Sequence, residues 1–193
     1  MHRGDGSRAR PQPATTTDLS TTSRHSVASP PVATDAPADL VLTPLTGEPR
    51  TLTEQLTTFH LAAVVLDPFT NESAWLIDSA GRLLETFAEA DVRVAFVVTG
   101  TADQAREFLG PWVDEVFTFA DPDRVLVKGL SLEHLPAFVH IGQDGTTNGA
   151  AEGWNPAEWR DVADHLAKVM SWSRPNIPAP GDPAAYTGSP ALG

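Results

Sequence analysis

The apolar run Leu61–Leu66 constrains this chain more than any other feature of its sequence. A strand with one wet face alternates apolar and polar residues, whereas an unbroken run reads as a strand covered on both faces by helices. Val92–Val98 reads as a second buried strand. Between the two, Leu76, Ala80, Leu83, Leu84 and Phe87 recur at helical spacing and predict one amphipathic helix from about Glu72 to Ala88, despite Gly81. Further on, Thr101-Ala-Asp-Gln104 caps a helix that ends near Gly110-Pro111, and Val116–Phe119 is a third short strand. Asp121-Pro122 reads as an N-cap with proline at the first helical position, opening a short helix towards Lys128. Ala137–Ile141, the turn Gly142–Gly145 and Thr146–Ala151 make a hairpin, and Asn155-Pro156-Ala157-Glu158 starts the last helix. Ahead of all these, Thr43–Arg50 reads as a hairpin turning at Thr46-Gly47, followed by a Thr51–Glu54 capping box. The fold class is α/β, with a central mixed sheet flanked by helices.

Composition narrows the chemistry. The 193 residues include no cysteine, so disulfide staples and any reaction led by a protein thiolate are excluded. The formal charge of −12 falls on the middle of the chain, because residues 1–38 hold four arginines against three aspartates. An acidic body repels phosphate backbones and anionic headgroups, so neither nucleic acid nor a membrane surface is an expected partner. No stretch is long and apolar enough to span a bilayer, and no secretory signal is evident, so the expected location is cytoplasmic. Residues 1–38, rich in Ser, Thr, Pro and Arg, read as a disordered tail in which Arg3-Gly4-Asp5 is a chance match to an adhesion tripeptide. Residues 39–172 form the expected domain. Residues 173–193, with five prolines, read as an extended tail that Ile177 and Tyr186 can pin to it.

Leu135-Pro136-Ala137-Phe138-Val139-His140-Ile141, followed by Asp144-Gly145, resembles the cis-proline, strand, Asp-Gly turn and strand of the thioredoxin-like redoxins. Val64–Thr70 is similar to the strand and loop that lead to their redox motif, and Gly153-Trp154 to the turn before their last helix. The resemblance spans residues 41–170, covers TlpA-type thioredoxins and peroxiredoxins, and implies a thioredoxin-like fold. It also implies a cis bond before Pro136, which leaves the backbone of Leu135 free to pair with an extended peptide.

The family's thiols sit at the start of the first long helix, here Thr70-Asn71-Glu72-Ser73-Ala74-Trp75. Thioredoxin spacing places its two cysteines on Glu72 and Trp75, and peroxiredoxin spacing places its cysteine on Trp75. Neither side chain substitutes for a thiolate, so the family's activity does not carry over. Glu72 has a simple structural role at a helix start. Ser73 lacks the setting of a serine nucleophile, and the Asn71-Glu72-Ser73 sequon has no meaning without secretion. Trp75 either plugs the former site or, with Phe69, Trp112 and Trp154, forms an exposed aromatic patch. The plug is the more frequent fate of such a residue. His134 precedes the proline loop, but the six histidines have no metal-site spacing, and no cofactor is implied.

The expected function is therefore a non-catalytic protein- or peptide-binding module using Phe69, Asn71, Ser73, Trp75, His134, Leu135 and Pro136. Two alternatives stand beside it. One is a redoxin-class oxidoreductase working without protein thiols, and the other is a structural subunit of a larger assembly.

Overall fold

The computed structural model describes residues 33–193. What was read for residues 1–32 lies outside them. Seven strands form one sheet in the order β2-β1-β5-β4-β3-β7-β8. Its centre is β3 (His60–Leu66), paired parallel to β4 (Val92–Val98) and antiparallel to β7 (Ala137–Ile141). Every residue of β3 after His60 is buried, as the unbroken apolar run requires. β5 (Thr118–Ala120) extends the parallel side, β8 (Thr147–Glu152) closes the hairpin with β7, and β1 (Val41–Pro44) adds antiparallel to β5 with β2 (Arg50–Thr51) outside it.

One apolar layer lies between the sheet and α3 (Ile77–Thr86), α4 (Ala102–Leu109) and α7 (Pro156–Met170), with Phe87, Phe96, Phe138 and Trp159 at its heart. The layer on the other face holds α1 (Leu52–Leu56) and α6 (Val125–Leu130), with Leu42, Phe119 and Leu135. Both Thr51 and Thr101 form complete capping boxes with Glu54 and Gln104. Gly81 interrupts the helical stripe for a packing reason: a Cβ there would sit 2.5 Å from the Trp112 ring, which lies in α5 (Trp112–Glu115).

Four expectations change. The single helix over 72–88 is two pieces, α2 (Asn71–Ala74) and α3, because the Leu76 N–H bonds to Ser73 O three residues back and tightens the turn. α6 begins at Val125 rather than after Pro122. Asp121 still caps it, its carboxylate accepting from Val125 N at 2.7 Å and Leu126 N at 3.0 Å. Residues 33–38 belong to the packed body: Ala36 is buried and the Thr34 N–H bonds Leu130 O at 3.0 Å.

The fourth concerns residues 173–193, which are extended but docked along their length. β9 (Ser189–Pro190) pairs antiparallel with β6 (His134–Leu135), Tyr186 bridges Trp154, and Ile177 and Ala191 are buried.

Candidate functional site

The loop from β3 into α2 builds the site from the C-terminal end of the central strand. Asp67, 3% exposed, organises it. One carboxylate oxygen accepts the Phe69 N–H at 2.9 Å, and the other accepts Arg124 Nη2 at 2.8 Å in an ion pair shielded on both sides. Ser73 is fully buried and its hydroxyl accepts the Asp67 N–H at 2.9 Å, so it holds the loop and is not available as a nucleophile. Asn71 is exposed and Glu72 half-buried. Trp75 does not plug the site. It stands 59% exposed, and Phe69 67%; the Trp75 ring meets Tyr186 edge to face, with ring centroids 5.7 Å apart at 80°.

The four-aromatic patch does not assemble either. Trp154 is buried and donates its indole N–H to Pro183 O at 2.8 Å, and Trp112 donates to Asp78 at 2.9 Å.

Across the site, the Leu135–Pro136 bond is cis, as the resemblance implies. The peptide-accepting edge beside it is not open. Leu135 pairs with Ser189 and His134 with Pro190, the Ala191 N–H donates to Glu133 O at 2.8 Å, and Arg124 Nη1 donates to Ala191 O at 2.6 Å. One arginine thus joins the redox-loop aspartate to the end of the chain. Upstream, Tyr186 exchanges backbone hydrogen bonds with Trp154, and its hydroxyl donates to Glu72 O at 2.6 Å. Burial, and then the Glu72 charge, push the Tyr186 phenol well above its ordinary pKa. Asp182 anchors the start of this strap by accepting from Ser79 at 2.6 Å and from Arg82.

Gly188 permits the closest approach. It has φ +90°, and a Cβ would meet Leu135 O at 2.6 Å.

His134 stands half-buried, its ring 3.9 Å from the Glu152 carboxylate, which also accepts the Glu133 and His134 N–H groups at 2.7 and 2.6 Å. None of the described cavities is lined by Glu72 or His134. Among the described residues no three His, Asp or Glu side chains are placed to hold a metal ion. Sequence reasoning missed Asp67 and Arg124 as site residues, and it placed Tyr186 only as a pin for the tail, not at the site. Tyr186 carried one signal, as the sole tyrosine within a proline-rich stretch.

The sheet order, the cis-proline strand and the helix opening over the end of β3 define a thioredoxin-like fold without its thiols. No protein-family model and no curated protein matches the sequence. Solved structures similar to this chain include thiol-disulfide oxidoreductases, thioredoxins and a peroxiredoxin. A putative thiol:disulfide interchange protein DsbE from Chlorobium tepidum is 15% identical with a TM-score of 0.58, covering 72% of this chain and 97% of its own. Xanthomonas campestris peroxiredoxin Q is also 15% identical, with a TM-score of 0.54 and coverage of 72% and 94%. A secreted Mycobacterium tuberculosis disulfide oxidoreductase homologous to E. coli DsbE is 17% identical, with a TM-score of 0.51 and coverage of 68% and 96%. At these identities the likeness is one of fold. No described helix is long and apolar enough to cross a membrane.

Proposed function

We propose that this chain is a non-catalytic thioredoxin-fold module that binds a protein partner at the end of the fold where redoxins carry their thiols. The supporting observation is that Phe69 and Trp75 both stand exposed, on a loop and short helix that Asp67, Ser73 and Arg124 tie together. Two large aromatics on a fixed backbone make good anchors, because little entropy is lost when a partner covers them. The Leu135 edge takes part differently from the expectation. It accepts an extended peptide, but that peptide is the chain's own Ser189–Pro190. The partner meets Phe69, Trp75 and the outer side of the strap. With 25 acidic against 13 basic side chains in the whole chain, a protein with an apolar centre and a basic rim fits better than a nucleic acid.

The test is site-specific photo-crosslinking in the native cell, with the photoreactive residue at position 75 and, as a control, at the fully exposed Asp103. A discrete adduct from position 75 that the control lacks, and that Phe69→Ser weakens, supports the reading. The same products from both positions, or none from position 75, overturn it.

A further inference from the structure

We propose that the cavity beneath the β1–β2 turn is a binding site for a small monocarboxylate with an aromatic or apolar body. The cavity has a volume of about 370 Å³, within the size range of metabolite pockets, and is walled by Pro44, Glu48, Arg50, Gln55, Arg93 and Phe117. It lies at the start of β4, where Arg93 is level with Leu61 near the beginning of β3, so it is separate from the site at the far end of those parallel strands.

The cavity stands out by its charge. Acidic residues outnumber basic ones 25 to 13, and Arg82, Arg106, Arg124 and Arg174 each pair with an aspartate. Among the described residues Arg50 and Arg93 have no carboxylate within ion-pair distance, yet they share one cavity. Burial, and then the neighbouring Arg50 charge, hold the Arg93 guanidinium below its ordinary pKa. Two guanidinium groups facing one space repel each other until an anion sits between them. Their planar donor forks match a carboxylate.

Arg93 is also held in place. Its guanidinium donates to Gln55, which is 5% exposed, and lies 5.8 Å from the centroid of the Phe117 ring. A pre-positioned arginine loses little freedom when a ligand arrives. Glu48 on the same wall leaves the three charged side chains a net +1, which suits a monoanion over a phosphate dianion. Phe117, 40% exposed, and Pro44 supply the apolar wall for the body of the ligand.

The test is a titration of the full chain with benzoate, followed by amide chemical shifts, with benzamide as the neutral isostere and phenyl phosphate as the dianion. Benzoate should saturate with a Kd below about 10 mM and shift Gly47, Gln55 and Phe117, whereas benzamide should leave them unmoved. Arg50→Gln, a change at an exposed strand position, should weaken benzoate about tenfold, and Arg93→Met at least as much. If Arg93→Met does not fold, Arg50→Gln decides alone. The proposal is overturned if benzoate does not bind, if benzamide binds equally well, or if Arg50→Gln leaves the affinity unchanged. Tighter binding of phenyl phosphate than of benzoate overturns the assignment to a monocarboxylate.

Discussion

His140 makes the fold sensitive to acid. It lies on the central hairpin strand β7, fully buried, facing His60 from β3 and His165 from α7. His60 Nδ1 lies 3.0 Å from His140 Nε2, while His140 Nδ1 has no partner. With Nε2–H donating to His60, the unpartnered atom is a lone pair, which burial tolerates better than a stranded N–H. A positive charge in this place is opposed first by burial and then by the two neighbouring imidazoles, and the pKa falls from 6.5 to about 4.

Between those values the unfolded chain takes up a proton that the folded chain refuses. Stability is therefore full above about pH 6.5 and declines as pH falls towards 4. The decline attributable to His140 is roughly 2.5 kcal/mol between about pH 7.5 and about pH 4.5, at ~1.4 kcal/mol per tenfold difference in proton affinity. Urea unfolding of wild type and His140→Leu, followed by tryptophan fluorescence at both pH values, isolates it. Groups away from His140, such as Asp121, whose pKa burial raises, titrate in both chains and cancel. Wild type should lose roughly 2.5 kcal/mol more than the variant on acidification. Equal losses would refute the claim that this imidazole is held neutral by its surroundings.

Three further outcomes concern the C-terminal strap. Gly188→Ala puts a Cβ against Leu135 O and in a backbone region that L-residues avoid, and should lower stability by about 2 kcal/mol, read as a lower melting temperature. Arg124→Met strands the buried Asp67 carboxylate and frees Ala191 O, at a cost of roughly 2–3 kcal/mol, and adding Asp67→Asn should recover part of it in a double-mutant cycle. Because the chain has a single tyrosine, the rise in absorbance near 295 nm on phenol ionisation reports the strap alone. Tyrosinate should not appear until well past the ordinary phenol range, and in Gly188→Ala it should appear earlier.

Local patterns made most of the fold legible. The β3 run, the helical stripe Leu76–Phe87, both threonine capping boxes and the Asn155-Pro156 helix start are short-range signals, and the structure uses each one. Beyond the pins expected at Ile177 and Tyr186, the strap was not legible, because its contacts are long-range and its prolines and small residues have no period. His134 and Pro190 pair across more than fifty residues with nothing in either segment to announce it. Trp75 could have been placed better. Positions 75, 79, 82 and 86 share a helical face, and three of them are Ser, Arg and Thr, a polar face on which a large aromatic is exposed. The same face receives Asp182 through Ser79 and Arg82, and Thr86 O accepts the indole N–H of Trp172 at 2.6 Å. What looked like a surface to leave open is where the end of the chain docks.

The central claim is that this thioredoxin-like fold keeps its peptide edge beside Pro136 and fills it with its own residues 186–191. Native-state amide hydrogen exchange tests it most directly. The Tyr186 and Ala191 N–H groups, bonded to Trp154 O and Glu133 O, should exchange at least about 100-fold more slowly than in an open chain. Exchange of both at open-chain rates would contradict the account.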